Sequence, residues 1–372
     1  MDIQQTNQIL LRLHQQGYRA YYVGGVVRDR LLKRNTKDID IVTSAPSSEV
    51  LKLFSKSFQM NNAHDTVIVR NNRSVVEITT ERGESLKEDL NKRDFTINSL
   101  ALSINGEIID YVGGASDLQK GIIRSNQPLE RMVEDPLRML RAVRFQSDLG
   151  FQIDEELQNV IKKHANLIEK TALERVIKEF ELFIGGSFRE SVMKQGHTQK
   201  ILYTLPGFKM NEKTFLQLQK LGKIDTSDRS LIWAAFAISS QQNTYTKLPL
   251  SKSILKEVKK MEHFYYYREM NEWEEYSLYE ASLEIAQKVE WLRQKFDLEA
   301  THHLKDMWSN LPIHSREDLC LDGHDLIKKL NEKPGPWIKD WLLQAEKMII
   351  CEKIPNEVNT LIDELVRRNA AL

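Results

Sequence analysis

Cysteine is nearly absent from this chain: Cys320 and Cys351 are the only two among 372 residues. Two thiols give neither a disulfide framework nor a zinc cluster, and they fit a reducing, cytoplasmic setting. An excess of one charge is missing as well, because 53 basic and 53 acidic residues cancel. The protein is therefore no general polycation, although a local basic surface leaves nucleic-acid binding open. No apolar run approaches the ~20 residues that span a bilayer, so no membrane role is expected. The opening MDIQQTNQILLRL reads as a polar amphipathic helix and not as a signal peptide. Repeats and low-complexity tracts are also lacking. With 41% hydrophobic and 28% charged residues, the composition is that of an ordinary globular protein, which excludes wholesale disorder. The length allows two or more domains.

The informative stretch is Gly24-Gly25-Val26-Val27-Arg28-Asp29, followed by Asp38-Ile39-Asp40. Tyr21 to Val23 favour a strand. Gly24 and Gly25 permit a tight turn and leave room for a bulky ligand. Val26 to Leu32 suit a short helix whose first amides would face an anion. Asp38 and Asp40 alternate on the next strand and so share a face. Two carboxylates on one rigid face suit a hard cation such as Mg²⁺, with water and phosphate completing the shell. A Gly-Gly before a helix is usually only a turn, and an Asp-x-Asp is usually solvated surface. Their order and spacing favour phosphoryl chemistry on a nucleotide.

Around this unit the patterns predict a helix over 3–16 with Ile3, Ile9, Leu10 and Leu13 inward, ended by Gly17. Strands follow at Arg19–Val23 and Asp38–Thr43, and Ala45-Pro46 opens a helix through Phe54 with Val50, Leu51 and Phe54 inward. A strand pair is expected at 66–69 and 75–80 with a turn at Asn71-Asn72. A polar segment covers 81–92. Asn105-Gly106, flanked by ALSI and EIIDY, is a strong hairpin signal, and Ile122-Ile123-Arg124 suits a last strand. Residues 1–125 thus read as mixed α/β with an antiparallel-rich sheet. From about residue 126 helical periodicity takes over. The acidic-aromatic run 262–280 reads first as core packing and only second as base stacking.

A second constellation is Glu134-Asp135-Pro136-Leu137-Arg138. Asp135 suits an N-cap and Pro136 a first helical position. Arg138, Arg141 and Arg144 recur every three residues as one basic stripe, whose plain reading is a solvated face. A sharper reading uses hydrogen-bond chemistry: Asp135 accepts and Arg138 donates. That edge matches cytosine and adenine and rejects uracil and guanine, so it would select CTP or ATP without a template.

These residues resemble those of class II tRNA nucleotidyltransferases, the CCA-adding enzymes of the polymerase-β superfamily, in their bacillus-type form. GGVVRD with Asp38 and Asp40 is similar to the family's metal and triphosphate motif. KRDFTINSL is similar to its sugar-recognition and domain-coupling motif, and DYVGG to a hinge. EDPLRMLRAVRF resembles its amino-acid template for the base. LERVIKEFELFIGG, with Glu174, Arg175 and Glu179, resembles the segment that braces the neck. PGPWIKDWLLQAE with Asn356-Glu357 resembles the tail.

The resemblance implies an α+β protein. A polymerase-β-like nucleotidyltransferase head with a mixed sheet (1–125) precedes an all-α neck (126–186), body (187–300) and tail (301–372). It implies Mg²⁺ on Asp38 and Asp40, which are the catalytic pair. Gly25 and Arg28 would hold the triphosphate and Arg93 the nucleotide. Asp135 and Arg138 would read the base, with Arg141 and Arg144 orienting them or touching phosphate. Glu77 is a candidate third carboxylate. The implied partners are CTP, ATP and the acceptor and T arms of tRNA, held by phosphate contacts and duplex shape. Lys252, Lys256, Lys259 and Lys260 are candidates for those contacts. A homodimer is compatible with the resemblance.

The chain departs from full CCA-adding relatives in one stretch. Thr80 reaches Arg93 across only ERGESLKEDLNK, where those relatives carry a longer flexible loop associated with switching from C to A addition. The expectation is a CC-adding enzyme that adds A poorly and works with a separate A-adding enzyme. Lys92 also replaces a usual arginine, and Asp65 a usual glycine after His64. Competing classes are a full CCA-adding enzyme, a poly(A) polymerase, a small-molecule nucleotidyltransferase and a catalytically dead RNA binder.

Overall fold

A computed structural model describes residues 6–35, 38–59, 65–71, 74–240 and 243–369. The chain forms two compact units, residues 1–210 and 211–372.

The first unit opens with α1 (Asn7–Gln15), which buries Ile9, Leu10 and Leu13 and ends before Gly17, at φ +82°. Ile3, expected on the same face, lies outside the described residues. Then come β1 (Ala20–Val23), α2 (Gly25–Leu31), β2 (Ile39–Thr43), α3 (Ser47–Leu53) and β3 (Ser57–Gln59). β4 (Thr66–Asn71), β5 (Ser74–Thr80), α4 (Leu86–Asn91), β6 (Leu100–Leu102) and β7 (Ile108–Asp110) complete the sheet region. Asp38 stands one residue before β2, where the sequence suggested the strand itself begins. Val50 and Phe54 are buried under α3 as expected, while Leu51 is only partly covered.

The strands form one mixed sheet in the order β3-β4-β5-β2-β1-β6-β7. β2 and β5 run parallel, and the other neighbours are antiparallel. Both expected hairpins are present: β4 pairs with β5, and β6 with β7. Gly106 turns the second at φ +86°, a conformation that favours glycine. Asn72, of the first expected turn, lies outside the described residues. On one side of the sheet, Val23, Val42 and Ala101 pack against Leu86 and Leu90 of α4. The polar 81–92 segment is thus not a plain loop. Ser85 caps a helix, its Oγ accepting from Glu88 N at 3.3 Å, and Leu86 and Leu90, one turn apart, dock it on the sheet.

Past the sheet lie α5 (Gly114–Lys120), β8 (Ile122–Ile123), α6 (Pro128–Glu134) and α7 (Leu137–Leu149). β9 (Gln152–Ile153), α8 (Glu155–His164), α9 (Leu173–Ile184), α10 (Arg189–Met193) and α11 (Gly196–Tyr203) follow. β8 is the expected strand, but it joins β9 in a separate parallel pair instead of the main sheet. Two residues of strand inside a helical region carry too little pattern to be read from sequence. Asp110 fixes the turn into α5: its carboxylate accepts from the amides of Val112, Gly113, Gly114 and Ala115 at 2.9–3.1 Å. Around α7 and α9, Ser147 Oγ donates to Phe183 O at 2.8 Å. A Cβ on Gly186 would fall 2.6 Å from the Ser147 carbonyl carbon and oxygen, so only glycine allows this approach.

The second unit is helical among the described residues, from α12 (Glu212–Lys220) through α13 (Arg229–Ser240), α14 (Lys252–Met270), α15 (Glu275–Ala281) and α16 (Leu283–Lys295). α17 (Leu304–Ser309), α18 (Gly323–Leu330), α19 (Trp337–Cys351) and α20 (Val358–Asn369) complete it. The aromatic run 262–280 supplies core, as read: Phe264, Tyr265 and Trp273 are buried. The Trp273 indole donates to Glu290 at 2.7 Å, beside Arg268 at 2.9 Å. Both cysteines are free thiols. Among the described residues no helix is long and apolar enough to cross a membrane.

Candidate active site

The glycine turn between β1 and α2 has the backbone the sequence suggested. Gly24 sits at φ +73°, ψ −134°, a region L side chains rarely occupy. A Cβ there would lie 3.3 Å from Arg93 Nη1 and 3.4 Å from Asp40 Oδ2. Turn, strand carboxylate and arginine, separated by 16 and 53 residues in sequence, therefore converge at one point. At Gly25, which opens α2, a Cβ would lie 3.6 Å from Arg28 Nη2.

Asp38 is exposed at the head of β2 and Asp40 half-buried on it. Across the parallel pair, Asp40 is in register with Glu77, so the two point to the same face. Burial, then the Glu77 charge and to a lesser degree Asp38, push the Asp40 carboxyl up to about 6, against the pull of Arg93 and Arg141. Among the described residues, however, no group of three or more His, Cys, Asp or Glu side chains is gathered for metal binding. Glu77 acts on Asp40 through space without joining a three-carboxylate cluster.

Arg28 is buried. It donates from Nε to Asp29 at 2.9 Å and from Nη1 to Asn98 at 2.8 Å, and lies over the Phe145 ring at 4.8 Å. Asn98 donates in turn to Asp94 at 3.0 Å. Asp94 takes Arg141 Nε at 3.0 Å and Nη2 at 2.7 Å. Burial alone would raise the Asp94 carboxyl, but Arg141 and Asn98 hold it well below the usual carboxylate range. Glu179 on α9 accepts from Arg141 at 3.1 Å and from Arg144 at 3.0 Å. Arg144 stacks on Phe145, 3.5 Å from the ring centroid.

The arginine stripe of α7 is therefore no solvated face. Each member has a carboxylate partner, and Arg138 is buried beside Glu134, to which Nη1 donates at 2.9 Å. Arg141 and Arg144, expected to orient the base reader or touch phosphate, are engaged by Asp94 and Glu179. Asp135 ends α6 and lies just ahead of α7. Its Oδ1 accepts from Leu137 N at 3.3 Å, so it caps α7 loosely, one residue from the position foreseen. Arg175 grips the same carboxylate at 2.8 and 3.2 Å. Both members of the expected base-reading pair thus have a side-chain partner of their own.

Sequence reading missed Asp89, Asp94, Asn98 and Glu134. Three arginines at three-residue spacing on one largely covered helix face require carboxylates, which was the available signal for Asp94 and Glu134. Asp89 is fully buried. It accepts from Arg93 Nε at 3.0 Å and Nη2 at 2.8 Å, and from Arg82 N and Nε at 3.2 Å.

Three family models match. The "Poly A polymerase head domain" covers residues 20–124, the "Probable RNA and SrmB- binding site of polymerase A" 150–203, and the putative "tRNA nucleotidyltransferase domain 2" 224–365. The chain is 37% identical over 363 residues to the CC-adding tRNA nucleotidyltransferase of Halalkalibacterium halodurans, covering 97% of this chain and 96% of that one. It is 33% identical over 385 residues to the CCA-adding enzyme of Anoxybacillus flavithermus, with the same coverage. Among solved structures, the Bacillus stearothermophilus CCA-adding enzyme in complex with CTP superposes with a TM-score of 0.83 at 30% identity, covering 100% of this chain and 99% of that one.

Proposed function

The chain belongs to the class II CCA-adding and CC-adding tRNA nucleotidyltransferases, and we propose that within this family it is a CC-adding enzyme. It is a tRNA 3′-end nucleotidyltransferase. The proposal concerns how far the addition runs and which residues carry it. The observation behind it is the short connection from Thr80 to Arg93, occupied by a docked helix and two buried-carboxylate ion pairs to Asp89. A segment anchored by Leu86 and Leu90 in the core offers little slack for reshaping a pocket from C to A. The comparisons support the same reading. Alignment with the CCA-adding relative takes 385 positions and with the CC-adding relative 363, for an equal share of this chain, so the former carries more inserted residues.

Asp38 and Asp40 are the proposed metal pair. Their fit to a hard divalent cation rests on the chemistry of the donors: oxygen ligands, and in Asp40 a carboxyl destabilised as an anion by burial and then by its acidic neighbours. One or two carboxylates with phosphate oxygens and water are the usual Mg²⁺ arrangement. Bound Mg²⁺ would supply Lewis-acid activation of the attacking hydroxyl and charge neutralisation on the leaving pyrophosphate. In the proposed reaction the tRNA 3′ hydroxyl attacks the α-phosphate of CTP. Gly25 and Arg28 hold the triphosphate, with Gly24 leaving space at the turn, and Arg93 holds the nucleotide. Asp135 and Arg138 accept and donate to the base edge, which requires Arg175 and Glu134 to share them with it. Arg141 and Arg144, fixed by Asp94 and Glu179, hold the reading helix in place. The residues act as a catalytic head (1–125), base-reading neck (126–186), body (187–300) and tail (301–372). The body and tail grip the acceptor and T arms, with Lys252, Lys256, Lys259 and Lys260 among the contacts.

Incubating a tRNA transcript that lacks CCA with CTP and ATP, and resolving products by length, tests the proposal. Products stopping after two additions are expected. Prompt formation of the three-nucleotide product overturns the CC-only reading, and long A tails would point to poly(A) polymerase.

A further inference from the structure

We infer that Asp89, a residue outside the glycine turn, the metal pair and the base reader, is a positioning residue that sets the direction of Arg93 in the nucleotide site. The inference rests on the proposed nucleotide role of Arg93. Its warrant is which guanidinium nitrogens are taken. Asp89 Oδ2 receives both Nε and Nη2 of Arg93, at 3.0 and 2.8 Å. This side-on arrangement uses one edge of the planar fork and leaves Nη1 as the remaining end. Nη1 is the atom 3.3 Å from where a Gly24 Cβ would stand, beside Asp40 Oδ2. The carboxylate therefore aims the free end of Arg93 at the glycine turn.

The anchor itself is rigid. Asp89 is fully buried, and the helix that carries it is pinned on either side of it by Leu86 and Leu90 in the sheet-facing core. Its other oxygen, Oδ1, takes the backbone N–H and Nε of Arg82, each at 3.2 Å. Oδ1 thus holds the chain leaving β5 while Oδ2 holds Arg93. One carboxylate ties together the two ends of the segment in which this chain is short. A flexible arginine pays rotamer entropy each time it meets a phosphate, and a held one does not. Lysine cannot replace it here, because an ammonium cannot bond Asp89 side-on while presenting a second fixed donor.

The test uses the full chain, with steady-state CTP incorporation into a tRNA transcript lacking CCA. The variants are Asp89→Asn, Arg93→Lys, Arg93→Gln and the double variant Asp89→Asn/Arg93→Lys. Asp89→Asn and Arg93→Lys should each raise the KM for CTP about tenfold, the loss of roughly one charge-assisted bond, with the KM for tRNA unchanged. The double variant should be no worse than Arg93→Lys alone, because both changes break the same linkage. If Arg93→Lys binds CTP as the parent does while Arg93→Gln does not, the charge matters but its aim does not, and the inference is overturned with the Arg93 reading intact. That comparison stands even if Asp89→Asn fails to fold. Multiplying deficits in the double variant also overturn it. A parental KM for CTP in Arg93→Gln overturns the nucleotide role of Arg93 itself.

Discussion

Asp40 and Glu77 are register partners across the parallel β2–β5 pair, two carboxylates on one face of the sheet. Proximity of this kind makes the second negative charge costly, and Asp40, pushed up to about 6 by burial and by Glu77 and Asp38, carries that cost. Relative to an unfolded value near pH 4, the folded protein holds an extra proton between about pH 4 and pH 6. Stability therefore falls as pH rises through this window, and the penalty is fully present above it. Asp40→Asn should raise stability at pH 7 by on the order of 1 kcal/mol, after discounting for solvent at a half-buried site, while abolishing nucleotide transfer. The gain should vanish below about pH 4. Thermal unfolding across pH 3–8 checks this. Mg²⁺ should stabilise the parent protein at pH 7 and not the variant.

Arg138 is the proposed donor to the base edge. Replacing it by alanine should lower kcat/KM for CTP by roughly 10- to 100-fold, the loss of bonds to a charged donor. It should also narrow the margin between CTP and UTP, since the donor that faces the ring N–H of uracil would be gone. Competition between labelled CTP and UTP on one tRNA transcript measures both effects. An unchanged margin would remove Arg138 from base selection.

Arg141 neutralises a buried carboxylate. Arg141→Ala leaves Asp94 with Asn98 and the Phe95 amide alone and Glu179 with Arg144. Removing one partner of a buried ion pair costs about 3–5 kcal/mol. Asp94 is held below its ordinary range, so its contribution is present above about pH 4 and lost as pH falls further. The deficit of the variant should accordingly shrink in acid. Urea unfolding at pH 7 and at about pH 3 tests the size and the trend.

Gly186→Ala should destabilise the first unit by about 1–3 kcal/mol, the usual cost of overpacking. The added methyl would sit 2.6 Å from the Ser147 carbonyl, and backbone cannot rotate away as a side chain can. Chemical denaturation gives the value. A neutral result would mean that the α7–α9 region slides freely.

The parts of this site that sequence shows are those with local signatures. Gly24 requires glycine because of its backbone, Asp38 and Asp40 flank Ile39 at the head of a strand, and Asn105-Gly106 marks a hairpin. The partners of the arginines do not show, because Arg141 meets Asp94 and Glu179 across 47 and 38 residues and helical spacing carries no information about distant chain. The stripe 138–141–144 was for that reason open to being read as solvated. β3 and β9 were missed because strands of three and two residues depend on their partner and not on their own pattern. The α4 helix had a readable signal, Ser85 followed three residues later by Glu88, with Leu86 and Leu90 one turn apart. The surrounding charge, read as a polar segment, concealed it.

The ladder between Ile122–Ile123 and Gln152–Ile153 bears on how such enzymes can be recombined. A chimaera joined at residue 125 would take one strand from one parent and its mate, beyond α7, from the other. Ile123 and Ile153 are both buried, so mismatched parents would meet at a packed seam. An exchange of addition specificity between CC- and CCA-adding relatives is better joined beyond Ile153, or confined to the few residues between Thr80 and Arg93.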